Sequence, residues 1–254
     1  MPPSTSAPAI AVAGSDTATP LNLEKRLALI ARHFDLRGKR LIDCGCGAGE
    51  YVVALGERGA EAVGVEYMAE KVAQFVAAHP DDSRVSAGDI ENLPYADGTF
   101  DLALLNEVLE HVPNDAQALV EVRRVLKPGG SVIVFSPNRL YPFETHGVHL
   151  RRPRRRIAHY VPFIPYLPLP LGRAFLEYWA RNYWPGQLRR LVTQAQFRVR
   201  YHGFIWQTFE NISGNQPRLI GAARPVLRRV AMLAECVPGL RAFGTSQAII
   251  AQRV

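Results

Sequence analysis

The chain is expected to fold as an α/β domain around a mostly parallel sheet, and three observations carry that expectation. Strand-like apolar runs alternate with helical patterns from Leu21 to Ser136, the order that builds βαβ units. Leu41 and Ile42 close one such run, and Asp43, Gly45, Gly47 and Gly49 follow before a helical pattern opens at Tyr51. Phe100–Leu105 is apolar apart from Asp101, as a strand buried on both faces of a parallel sheet would be.

Taken in order, residues 1–20 are rich in Pro, Ser, Ala and Thr and read as a disordered leader before a domain over 21–254. Leu23, Leu27, Ile30 and Phe34 lie on one stripe of a helix from Leu21 to Phe34, which Gly38 stops. Lys39–Cys44 is the first strand, ending in the glycine turn. Glu61–Glu66 is the second strand and closes on an acid. Met68–Ala78 reads as a helix, and Arg84–Gly88 as a short third strand followed by Asp89. After the fourth strand, Asn114 can cap a helix carrying Leu119, Val122, Val125 and Leu126, with Pro128-Gly129-Gly130 as its stop. Ser131–Phe135 is the fifth strand.

Regular alternation then breaks. Residues 137–184 read as an insertion covering the substrate: a loop with Tyr141, Glu144, His146 and His149, the basic run Arg151–Arg156, and a Pro-rich apolar stretch from Val161 to Leu171. Phe175, Leu176, Trp179 and Tyr183 fit one helical stripe. A helix begun by Pro185 and an edge strand at Phe197–Tyr201 follow, then a second insertion and a last strand at Gln247–Ala251.

The glycine turn narrows the ligand. Counting G-x-G-x-x-G from Gly45 puts Glu50 where a dinucleotide site has its third glycine, and a carboxylate facing a pyrophosphate is unfavourable. No Gly-Lys-Ser/Thr follows, so a P-loop is excluded. Acid-x-G-x-G-x-G instead suits a ligand without phosphates, whose ammonium or hydroxyl group Asp43 could hold. Glu66 lies about twenty residues beyond Gly45, where nucleotide-binding α/β folds set a carboxylate against ribose hydroxyls. Cys44 and Cys46 read as small buried residues of the turn rather than half a metal site.

Ile42–Gly49, Gly64-Val-Glu66, Gly88–Tyr95, Asp97–Asp101, Asn106–Val112 and Leu126–Gly130 occur together over roughly residues 38 to 136. As a set they resemble the class I S-adenosylmethionine-dependent methyltransferases, most of all the small-molecule branch with the quinone-biosynthesis enzymes. The resemblance implies a Rossmann-like seven-stranded, mostly parallel sheet with helices on both faces, an antiparallel last strand, and cover insertions after strands five and six. It implies S-adenosyl-L-methionine as cofactor, with Asp43, Gly45, Cys46, Gly47 and Gly49 along its methionine part and Glu66 on its ribose. Tyr67 and Met68 would flank the adenine, Asp89 and the Ile90 backbone would read its amino edge, and Asn106 would sit near the ammonium.

Methyl transfer needs alignment of a nucleophile and, where that nucleophile carries a proton, a base. His111, His146 and His149 follow strands four and five and are the candidates, each reading equally as a structural histidine. His146-x-x-His149 with Glu144 is a weak metal arrangement, and no metal is expected. The formal charge of +7 and the run Arg151–Arg156 admit a solvated face, an anionic substrate or a lipid headgroup surface. Nucleic acid is not favoured, because no RNA-binding module is recognisable. The three cysteines form no disulfide framework, and with no signal peptide or spanning stretch evident the expected setting is cytoplasmic, with peripheral membrane contact through Arg151–Arg156. The function expected is methylation of an O, N or C atom of a small, hydrophobic or lipid-linked metabolite. An RNA methyltransferase and a non-catalytic cofactor-binding module stand as alternatives.

Overall fold

The computed structural model describes residues 20–144, 148–152, 155–157, 162–178, 180–209 and 218–254. The leader at 1–19, His146, Arg154 and Trp179 lie outside these residues. The first half alternates as the sequence suggests: α1 (Pro20–His33), β1 (Arg40–Cys44), α2 (Glu50–Glu57), β2 (Glu61–Glu66), α3 (Ala69–Ala78), β3 (Val85–Ala87), β4 (Phe100–Asn106), α4 (Asp115–Val125) and β5 (Leu126–Pro137). The insertion holds β6 (Val148–Leu150), β7 (Arg155–Ile157), α5 (Leu169–Phe175) and β8 (Leu176–Tyr178). The chain closes with α6 (Pro185–Gln194), β9 (Phe197–Ile205), α7 (Arg218–Cys236) and β10 (Ser246–Arg253).

Seven strands form one sheet in the order β3-β2-β1-β4-β5-β10-β9. The pairs from β3 to β5 are parallel, whereas β10 runs antiparallel to both β5 and β9. Each face carries its own core. Leu27 and Ile30 of α1, Val52 and Leu55 of α2 and Phe75 of α3 pack on one face. Leu119 and Val122 of α4 and Leu188 and Val192 of α6 pack on the other. Asn114 caps α4, its side-chain oxygen accepting the Gln117 N–H at 3.1 Å.

Three local expectations are corrected. Helix α4 stops at Val125, because Leu126 is already extended and pairs with Phe100 of β4. The stripe from Phe175 to Tyr183 is not one helix: α5 ends at Phe175, and Leu176–Tyr178 instead pairs antiparallel with β6. There Leu176 is buried and its backbone satisfies the strand beside it. His149 is not on a loop but on β6, the middle strand of a separate sheet ordered β7-β6-β8.

The glycine turn after β1 is built by its lack of side chains. Gly49 has φ 83°, and a Cβ there would lie 2.4 Å from the Phe75 ring. Gly38, with φ 65°, has nothing within 4 Å of such an atom. Gly38→Ala should therefore cost only the left-handed backbone penalty of about 1–2 kcal/mol. Gly49→Ala should add about 1–3 kcal/mol of overpacking. Urea melts of the two variants compare them directly, and equal losses would contradict the close packing of Gly49 on Phe75.

Candidate functional site

The carboxyl ends of β1, β2, β3 and β4 bring the expected residues to one edge of the sheet, where open α/β sheets bind ligands. The Val65 carbonyl accepts the N–H groups of Gly45 at 2.7 Å and Cys46 at 3.1 Å, which pins the turn to β2. Gly45 has φ 75°, and a Cβ on it would meet Val108 at 2.6 Å. Cys46 is buried, so its backbone rather than its thiol is what the turn can present.

Asp43 is 1% exposed, and both its carboxylate oxygens are buried without a hydrogen-bond donor among the described residues. Burial first, then the charges of Glu66 and Glu50, push its carboxyl well above the usual range. A cationic group brought to it would remove that penalty. Glu66 is differently placed: Oε2 accepts the Gly47 N–H at 2.8 Å and Oε1 the Met68 N–H at 2.9 Å. Each oxygen keeps a lone pair for a further donor. The carboxylate thus locks the glycine turn to the segment after β2, where Tyr67 is 67% exposed and Met68 directly precedes α3.

Asp89 is exposed, and its Oδ1 accepts the Glu91 N–H at 2.9 Å, so it shapes the turn after β3; Ile90 beside it is buried. Asn106 ends β4 with its Oδ1 bonded to the Arg26 guanidinium. His111 lies in the turn between β4 and α4, its N–H donating to the Val108 carbonyl at 2.9 Å. His149 pairs across β6 with Glu177 and Arg156 and belongs to the small sheet. His146 is outside the described residues. Among the described residues no three His, Cys, Asp or Glu side chains are grouped to hold a metal.

Several residues of this edge escaped the sequence reading. Arg26 of α1 is 1% exposed, and besides Asn106 it donates to Glu107 Oε1 at 2.6 Å and Ser246 Oγ at 3.0 Å. Glu110 is buried beside Glu107 and accepts no hydrogen bond from the described residues. Burial, then the Glu107 charge, push its carboxyl well up, which favours its protonated form. The Tyr183 hydroxyl lies 2.7 Å from Asp115 Oδ2, and the Arg181 N–H donates to the Glu110 carbonyl at 3.0 Å. These contacts fasten the end of the insertion to the turn after β4. No motif announces them; an arginine on the inner side of the first helical stripe was the one available signal.

Both raised carboxyls make stability depend on pH. The folded chain retains protons on Asp43 and Glu110 that the unfolded chain has released, so stability falls as pH rises above the ordinary carboxylate range. Asp43→Asn and Glu110→Gln remove these groups, and thermal melts between about pH 5 and 8 should show a shallower decline in each variant. A decline unchanged by both substitutions would contradict buried, proton-holding carboxyls.

Residues 42–134 match the family model for a methyltransferase domain. A ubiquinone biosynthesis O-methyltransferase of Methylococcus capsulatus is 34% identical over 119 residues, 45% of this chain and 50% of that protein. The norajmaline N-methyltransferase of Rauvolfia serpentina is 34% identical over 133 residues, 49% of this chain and 46% of its own. The chain thus spans about half the length of the curated relatives it matches. A solved S-adenosylmethionine-dependent methyltransferase of Mesorhizobium loti superposes with TM-score 0.59 at 19% identity, over 91% of this chain and all of that one. Residues 42–134 accordingly match a methyltransferase domain, and the chain as a whole shares the fold of that solved enzyme.

Proposed function

We propose that the protein transfers a methyl group from S-adenosylmethionine to a small, hydrophobic or lipid-linked acceptor. Asp43 carries this reading: a buried carboxylate with no donor, at the mouth of a glycine turn, between two further acids. That arrangement fits the cationic amino-acid end of the cofactor and disfavours a phosphate. Glu66 fits its ribose hydroxyls, and exposed Tyr67 with Met68 offers a surface for its adenine, beside Asp89 and the Ile90 backbone. When bound, the cofactor supplies an electrophilic methyl group on a sulfonium.

The protein's own part is alignment and proton handling. Arg26 holds Asn106, and Glu66 holds Gly47 and Met68, so the cofactor edge is organised before any ligand arrives. An acceptor hydroxyl or amine must lose a proton, and His111, in the turn after β4, is well placed in the chain to receive it; His149 and His146 are the other candidates. The insertion over 137–184 acts as the substrate cover. Its Phe163, Leu171 and Phe175 are exposed by 61, 51 and 63%, which favours an apolar acceptor. Exposed Arg151 and Arg152 begin the basic run that would meet an anionic headgroup surface, and no helix among the described residues is long and apolar enough to cross a membrane.

Calorimetry with S-adenosylmethionine tests the site: Asp43→Ala and Glu66→Ala should each lose about 1.5–3 kcal/mol of binding, roughly tenfold or more in affinity. Unchanged affinity in both would overturn the assignment. With methyl-labelled cofactor and fractionated extract as the acceptor source, one of His111→Gln, His146→Gln and His149→Gln should lower turnover by about 10²–10⁴ while cofactor binding survives. Normal turnover in all three would leave alignment alone as the source of rate.

A further inference from the structure

Helix α7 covers the body of the protein with only part of its circumference. Ala231 and Ala234 are buried, and Glu235 pairs with Lys25 of α1. Val226, Val230, Leu233 and Val237 are 62, 56, 68 and 44% exposed. Val226, Val230 and Leu233 recur at helical spacing and so fall on a single narrow stripe beside the buried alanines, with Val237 just past the helix end. Met232 is exposed on another side of the helix, and Leu240 and Phe243 in the 3-10 turn Leu240–Phe243 are exposed by 51 and 42%. So many large apolar side chains gathered on one surface segment mark an interaction face.

Charge selects the occupant. The helix sequence contains Arg218, Arg224, Arg228 and Arg229 against the single acid Glu235, which Lys25 already neutralises. The whole chain carries a formal +7. Two such faces laid together would bring like charges into contact, whereas an anionic bilayer attracts them. An exposed apolar stripe with Arg229 beside it, on a helix whose sequence is net basic, is the pattern of a helix lying in a lipid interface. We infer that α7 is an interfacial helix by which the protein docks on anionic phospholipid surfaces. This contact stands on residues other than Arg151–Arg156. It also adjoins the cofactor edge, because Lys25 holds α7 and its neighbour Arg26 holds Asn106.

Co-sedimentation with phosphatidylcholine vesicles, with and without phosphatidylglycerol, at low and high salt tests the inference. Wild type should bind the anionic vesicles and release at high salt. The exposed double variant Val230→Gln/Leu233→Gln should bind at least about tenfold more weakly with an unchanged melting temperature. Replacing the arginines between 151 and 156 should leave the loss caused by the double variant intact, which separates the two contacts. No binding to anionic vesicles, or equal binding by the double variant, would overturn the inference. So would light scattering that shows a dimer abolished by the double variant.

Discussion

Arg26 places a full positive charge inside the protein, at the edge of the sheet where the strands end. A guanidinium there is tolerated only with a charged partner and further acceptors, and removing the charged partner would leave an uncompensated buried charge. Asn106, Glu107 and Ser246 partner its two terminal nitrogens, from the end of β4, the turn beyond it and the start of β10, while its Nε is buried with no acceptor among the described residues. Glu107 sits at φ 56°, a conformation that disfavours any side chain, and its bonds to Arg26 and to the Ser246 hydroxyl at 2.7 Å hold it there. One residue of α1 thus fixes the geometry of the turn that follows β4.

The same edge gathers more acid than base. Asp43 and Glu110 are buried without donors among the described residues, and Glu66 spends its oxygens on the backbone of the glycine turn and of Met68. Arg26 answers Glu107 and leaves Asp43 unanswered. Where the glycine turn is bare, the edge therefore presents carboxyls that an arriving cation would ionise and that offer a phosphate no counter-charge. This accounts for Glu50 occupying the position at which dinucleotide-binding turns carry glycine. The cost is stability at higher pH, the expected companion of a site held ready for a charged ligand.

Much of this was legible from the sequence, for local reasons. β1, its turn, β2 ending on Glu66, β4 and the Asn114 cap are each set by neighbouring residues, and the structure has them within a few positions. Arg26 and Ser246 were not legible, because their significance comes from partners 80 and 220 residues away. The three-residue strands β6, β7 and β8 are too short to show a period, so the sequence places His149 on a loop and Leu176 on a helix. α7 was passed over as part of an insertion, since the exposure of its apolar stripe depends on how much of the helix the body covers.

The central claim is that the bare, acidic edge formed by β1, β2 and β3 is the cofactor site. Amide hydrogen exchange with and without S-adenosylhomocysteine measures this residue by residue. The account predicts slower exchange at Gly45–Gly49, Tyr67, Met68 and Ile90, with α7 and the surface turn at His79–Arg84 unchanged. Exchange unaltered along the glycine turn, or protection confined to other segments, would contradict it.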